Sequence, residues 1–430
     1  MKKHLCVVAM ACLSLALSAC GGGGGGAAPG SASAHSAVSP TTASGANPVD
    51  SGVAGSSVAN QVVLTAGGQT YDTFNRAYVS VTLCVPGTTT CQTIPDVVVD
   101  TGSTGLRIFA SALSPAMLSG LPEEMSQGVP VNECAMFAGG NMWGTVRTAD
   151  VAMAGEQAAA TPIQVVQDGV APVAPACASA AGSFGMISAP RGSSGLGGNG
   201  LIGLDALMQD CGSYCAAGPT PYYYAGAGEV AVALAQQVTN PVTRFSQDNN
   251  GVLLTLPAIP AAGAVSVTGT MTFGVDTQPD NTLGALGLAQ YAASGAGLSA
   301  SYGSSGASMS AIFDSGSPMY YFEDASLPIC SGSQLTTSMY CPSAATTLHA
   351  SISGSNGTTA TIDFSVDNAS NLLFQSPTNY AYDDLAQASG STPALSGFLD
   401  MGLPFFFGRS VGVVFQGMPT YEGTGPAIVF

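Results

Sequence analysis

PDVVVDTGSTGLRIF, residues 95–109, decides how this chain is read. A run of valines closes on Asp100, then Thr101-Gly102-Ser103, and apolar residues resume at once. β-Branched residues in such a run favour a strand. A carboxylate at the end of a buried strand is costly unless it is hydrogen-bonded, and buried carboxylates concentrate at functional sites. The plain alternative is a strand ending in an Asp-Thr-Gly turn, ordinary turn chemistry with no function attached.

A second stretch bears on that choice. SAIFDSGSPMYYF, residues 310–322, repeats the order of apolar run, Asp314, Ser315-Gly316-Ser317 and renewed apolar run. Each motif also has an echo downstream. GNGLIGLDAL follows the first, with Gly200-Leu201-Ile202-Gly203-Leu204, and FLDMGLPFFFGRSVGVVF follows the second, with Met401-Gly402. An apolar-apolar-Gly element behind each Asp-Ser/Thr-Gly is far more specific than either motif alone.

Around these motifs, short strand-like runs recur: AYVSVTLC, TPIQVVQ, GVLLTLP, TGTMTFGV, TATIDFSV and SVGVVF, separated by Gly, Pro, Ser and Asn. Helical patterns are confined to SPAMLSGL from Ser114 and GEVAVALAQQV from Gly228. Strand–helix–strand units in series are missing from the pattern, so a mainly antiparallel, all-β protein is expected. The length after residue 57 suits two lobes. TNPVTRFSQDNNG, around Asn240, divides them into 58–240, with the first motif, and 241–430, with the second.

The N-terminus reads as an address. Lys2 and Lys3 precede the apolar run LCVVAMACLSLAL and then Leu17-Ser18-Ala19-Cys20. The run is too short and wrongly flanked for a membrane span, and reads as a secretory signal over residues 1–20. The last four residues resemble a bacterial lipobox, which implies lipidation of Cys20; an ordinary cleaved signal with an incidental cysteine is the alternative. Gly21, and not Asp, follows the cysteine, and by resemblance to sorted lipoproteins this implies the outer membrane, on its periplasmic or surface face. Residues 21–57, rich in Gly, Ala and Ser, read as a flexible tether.

Charge narrows the partners. The formal net charge is −17, and only 8% of residues are charged. Beyond the two lysines of the leader, the cations are Arg76, Arg107, Arg147, Arg191, Arg244 and Arg409. Nucleic acid and anionic membrane surfaces are therefore excluded as partners, membrane contact being left to the lipid. Acid relieves the self-repulsion of such a chain.

The cysteines remaining after Cys6, Cys12 and Cys20 are Cys84, Cys91, Cys134, Cys177, Cys211, Cys215, Cys330 and Cys341. An even set in an exported chain implies disulfides. Spacing favours Cys84–Cys91, Cys211–Cys215 and Cys330–Cys341, leaving Cys134–Cys177. Metal is not expected, because no Cys-x-x-Cys occurs and His349 is the body's lone histidine. The same scarcity of histidine leaves a serine hydrolase without a base.

These motifs resemble the pepsin-like aspartic proteases, and the likeness spans most of the body. It implies a bilobal pepsin-like (acid protease) fold, two six-stranded-type β lobes with a few short helices, and no cofactor. By that resemblance Asp100 and Asp314 would meet between the lobes and share a proton, activating a water for attack on a peptide bond at acid pH. Thr101 and Ser315 would lock the two loops, Gly102 and Gly316 would permit close approach, and Ser103 and Ser317 would donate to the outer carboxylate oxygens. MFAGGNMWGTVRTADVAMAG looks like the flap hairpin over the substrate, with Phe137, Gly139 and Gly140 at its tip. There Phe137 replaces the family's tyrosine, and Arg107 stands where a supporting tryptophan is usual. Trp143 lies on the returning flap strand and reads as core. The chain also resembles an uncharacterised bacterial lipoprotein family without assigned activity.

The implied function is an aspartic endopeptidase of the cell envelope acting as a monomer on peptide or protein substrates. Two alternatives stay open: a catalytically silent module that binds peptide or glycan, and a structural envelope protein.

Overall fold

The computed structural model describes residues 59–430 apart from 72, 181–184, 193–194, 295–296, 304–305, 334–335, 392–394 and 396. The leader, Cys20 and the tether lie outside the described residues. The described residues fall in one compact unit. None of their helices is long and apolar enough to cross a membrane.

The body is all-β. One sheet has 16 strands and a second has seven. Within them one five-strand order occurs twice. In the first half, Glu156–Val166, Thr104–Phe109, Gly200–Leu204, Cys91–Asp100 and Ala77–Cys84 lie side by side. Their successive pairings run parallel, antiparallel, parallel and antiparallel. In the second half, Ala386–Ala388, Tyr320–Phe322, Phe398–Gly402, Ala307–Asp314 and Leu298–Tyr302 repeat that order and the same alternation. The internal repeat of the sequence is thus a repeat of topology: two lobes of pepsin-like build. The strands do not divide six and six, because Gln61–Gly67 pairs with Ser266–Phe273 along its whole length and joins strands of both halves in the larger sheet.

Burial explains the motif strand. Its first residues alternate between exposed and covered, whereas Val97, Val98 and Val99 are fully buried, because Val97 and Val99 join the main core and Val98 packs in a second cluster with Tyr71, Tyr78 and Leu201. Each such side chain contributes about 1.5–3 kcal/mol when fully buried. A core containing Val99, Leu106 and Ile202 continues into Phe313, Met401, Leu403 and Phe405 of the second half.

The helix expected from Ser114 forms over Pro115–Gly120. Ser114 Oγ accepts the Met117 N–H at 3.3 Å, and Pro115 fills the first turn, where its missing N–H costs nothing. The helix expected from Gly228 does not form. Gly228–Glu229 is a strand, Val230 N–H donates to Tyr223 O at 2.9 Å, and Val232 N–H donates to Cys215 O at 3.0 Å. Only Leu234–Gln236 turns, as a single 3₁₀ turn. Two β-branched residues with non-local backbone partners outweigh the apolar spacing.

The eight body cysteines form four bridges: Cys84–Cys91, Cys134–Cys177, Cys211–Cys215 and Cys330–Cys341. The first closes the turn between neighbouring strands, with Cα atoms 4.0 Å apart.

Candidate active site

Each motif aspartate is the last residue of its strand, and each is in register with the glycine of its downstream echo: Asp100 with Gly203 and Asp314 with Gly402. Those glycines are sterically required. A Cβ on Gly203 would lie 2.7 Å from the Ser103 carbonyl carbon, and one on Gly402 would lie 2.1 Å from Met319 O. Only a bare backbone passes behind the two loops.

The loops are tied to each other in reciprocal fashion. Thr101 Oγ1 donates to Phe313 O at 2.6 Å and accepts Ser315 N–H at 2.9 Å. Ser315 Oγ donates to Val99 O at 2.8 Å and accepts Thr101 N–H at 3.1 Å. Both side chains are buried, so every one of these groups would lose more than an exposed bond if its partner were removed.

This lock presses the aspartates together. The two carboxyls lie side by side, so that burial and the Asp100 charge both disfavour ionisation of Asp314. A Cβ on Gly102 would lie 2.5 Å from Asp314 Cγ, and one on Gly316 would lie 2.6 Å from Asp100 Cγ. Each glycine therefore makes room for the other loop's carboxyl. Asp100 is 6% exposed, whereas Gly102 beside Asp314 is open to solvent.

Each carboxyl is held from below by its own loop. Asp100 accepts from Gly102 N–H at 2.8 Å and from Ser103 Oγ at 2.5 Å. Asp314 accepts from Gly316 N–H at 2.8 Å and Ser317 N–H at 3.2 Å, with Ser317 Oγ 2.8 Å from its outer oxygen. Burial first, and then the adjacent Asp100 charge, push the Asp314 carboxyl up to about 8; the Ser317 and Gly316 donors oppose the rise without cancelling it.

A third carboxyl, not singled out in the sequence, completes the cluster. Asp400 is fully buried, and its Oδ2 lies 2.7 Å from Ser317 Oγ. Burial and the Asp314 charge push it well above the usual carboxylate range. Arg76, also overlooked, reaches across from the first half and donates to Gly316 O.

The hairpin expected to act as the flap joins Val129–Phe137 to Gly140–Met153. Phe137 packs against a cluster of Tyr71, Tyr78, Phe109 and Met142. Arg107 lies behind it, its Cζ 5.4 Å from the ring centroid, in cation–π range. Gly139 is unobstructed. Gly140, at φ +133°, sits where a Cβ would be 2.5 Å from Gly185 O. Asn141 bonds that same carbonyl and the Cys177 carbonyl, and the Cys134–Cys177 bridge fastens the hairpin's first strand. Trp143 is core: its Nε1 donates to Ala171 O at 3.1 Å, and its ring packs on Tyr224.

Arg107 is itself buried in an ion cluster. Its guanidinium is 2.6 Å from Glu133 Oε1 and 3.2 Å from Asp210 Oδ2, and Tyr223 OH donates to Asp210 Oδ1 at 2.6 Å. Burial and the Glu133 charge push the Asp210 carboxyl well upward.

The doubled strand order and the two Asp-Ser/Thr-Gly loops locked at its centre define a protein of the pepsin-like aspartic protease fold. The chain belongs to the family described as "Protein of unknown function (DUF3443)", whose model matches residues 56–430. No curated protein matches it. Among solved structures it is similar to the aspartic proteinase from Irpex lacteus, at 16% identity and a TM-score of 0.47, over 86% of this chain and 96% of that one.

Proposed function

We propose that the protein is an aspartic endopeptidase in which Asp100 and Asp314 activate a water. The observation that carries this reading is the close placement of two carboxyls on matched, mutually locked loops. In the working state the ionised member takes a proton from the water. The protonated member polarises the peptide carbonyl, and the water adds with no covalent enzyme intermediate. Peptide is the proposed substrate, no cofactor enters the chemistry, and the enzyme acts as a monomer. Export by residues 1–20 and anchoring to the bacterial outer membrane through a lipid on Cys20 belong to the same proposal, which the four disulfides support.

The test is digestion of a peptide library from pH 3 to 9, with and without a statine-type transition-state analogue. Cleavage blocked by the analogue is expected. Asp314 must hold the shared proton, so activity should persist through the weakly acidic range and fall as pH rises through about 8. That places the alkaline limb well above an ordinary carboxylate value near 3.9. Absence of cleavage at every pH would leave the silent peptide or glycan binder. The missing hydroxyl at Phe137 is the observation that favours that second reading.

Phe137→Tyr tests the flap directly. A hydroxyl on that ring would supply one hydrogen bond of about 0.5–1.5 kcal/mol, or roughly two- to tenfold in kcat if it forms only in the transition state. The Arg107 guanidinium behind the ring supports either side chain. A rise in kcat/KM is expected, and a fall would show that the ring packs too tightly at Tyr71 and Phe109 to carry the oxygen.

A further inference from the structure

Ser317 Oγ lies within hydrogen-bond distance of two carboxyl oxygens at once, 2.8 Å from Asp314 Oδ2 and 2.7 Å from Asp400 Oδ2. A hydroxyl carries one proton and can donate to only one of them. The other contact is a hydrogen bond only if that carboxyl brings a proton of its own and donates it to Ser317 Oγ. Asp400 is the candidate for three reasons. It is fully buried, and among the described residues its Oδ1 has no hydrogen-bond partner and no cation forms an ion pair with it. An ionised carboxylate in that setting would keep a sealed, unpaired charge, among the most costly arrangements in a protein interior. Asp314, by contrast, accepts two backbone N–H groups on Oδ1. A proton on Asp400 Oδ1 would find no acceptor, so it sits on Oδ2.

The internal repeat shows that this acid is not needed for the strand. Asp400 pairs with Ile312 two residues before Asp314, and Leu201 pairs with Val98 two residues before Asp100. The two positions are equivalent, and the first half fills its copy with a leucine that is 4% exposed. An apolar side chain meets the packing requirement there, and the aspartate adds something that packing does not ask for.

We infer that Asp400 is a neutral positioning acid of the site, donating through Oδ2–H to Ser317 Oγ so that Ser317 donates in a fixed direction to Asp314 Oδ2. The relay rests on the proposed dyad, whose second member it holds in place. Its effect is one-sided: Asp100 has Ser103 alone on its outer oxygen, while Asp314 has a serine whose hydrogen is held in position by a further donor. Cooperative polarisation along the chain strengthens the bond to Asp314. The titratable groups facing Asp400 are Asp314 and Asp100 beyond Ser317, and Tyr321 on the adjacent strand in register with it. Arg76 is the cation that acts on Tyr321; its Nη1 donates to the Gly316 carbonyl.

Two measurements test this. The first needs no activity: infrared difference spectra of folded Asp100→Asn, which leaves Ser317 and both of its carboxyl partners in place, against Asp100→Asn/Asp400→Asn, recorded from pH 5 to 8. The double variant should lose one protonated-carboxyl band that the single variant keeps throughout; loss of a carboxylate band instead would overturn the inference. The second is the pH profile of peptide hydrolysis. Asp400→Leu, which copies Leu201, should lower kcat about three- to tenfold, and Asp400→Asn should restore most of it, because an amide N–H can donate to Ser317. The alkaline limb should stay in place in Asp400→Asn, since one neutral group replaces another. A downward shift of that limb by a pH unit or more would mean that Asp400 had carried a charge, and would overturn the inference. Should the protein hydrolyse nothing, the endopeptidase proposal falls, and the infrared measurement alone decides the state of Asp400.

Discussion

Asp314→Asn is expected to reduce peptide hydrolysis by about 10²–10⁴-fold or more while leaving the protein folded, and Asp100→Asn should do the same. The fold survives because the loops are built around an acceptor at Oδ1. In Asp314→Asn, the Gly316 and Ser317 N–H groups hold the amide with its oxygen toward them. The amide nitrogen then occupies the outer position beside Ser317 Oγ, which can turn to accept from it. Chemistry fails because an amide neither holds nor releases the shared proton. The fold is also relieved of one of two carboxyls forced together, so thermal unfolding of either variant should match or exceed that of the parent. A variant retaining a tenth of the parent kcat would remove the dyad from the mechanism.

The largest expected loss of stability lies elsewhere, at Arg107→Leu. This arginine is 3% exposed and bridges Glu133, itself fully buried, to Asp210. Removing it leaves two carboxyls packed around an empty centre, with Glu133 Oε2 already lacking a partner among the described residues. Breaking a buried pair from one side costs about 3–5 kcal/mol, far more than the pair itself contributes over an apolar replacement. The decisive control is the triple variant Arg107→Leu/Glu133→Gln/Asp210→Asn, which should recover much of the loss. Denaturant midpoints measure both. A single variant within 1 kcal/mol of the parent would show that water or a shared proton already neutralises the cluster. The flap should respond too, because Phe137 loses the cation behind its ring.

These residues also mark where the sequence was legible. The paired motifs and their glycine echoes are local patterns, and the strands that carry them follow from β-branched runs. The bridge Cys84–Cys91 follows from a short turn. The false helix at Gly228–Val238 arose because its backbone partners, Tyr223 and Cys215, belong to other segments. Arg107 was read against an expected tryptophan, and its ion cluster was invisible because Glu133 and Asp210 are brought to it only by folding. Asp400 carries a signal in the sequence itself. Aligning Leu399-Asp400-Met401-Gly402 on Gly200-Leu201-Ile202-Gly203 puts a lone acid in an apolar slot, and an acid where its repeat is apolar invites a functional question.

The reciprocal lock also bears on the order in which the molecule is made. Thr101 and Ser315 are 214 residues apart in the chain, and the strand behind Asp314 is not complete until Gly402. Contacts of such separation are late ones, since loop closure must be met before they contribute. Nascent chain emerging from the ribosome, or threaded through a translocation channel, therefore carries Asp100 as a solitary carboxyl for most of its passage. The pair comes into being only once nearly the whole polypeptide is present, and a chain truncated before residue 398 has two aspartates and no dyad. The pairing of the two carboxyls is thus an all-or-none property of the finished fold.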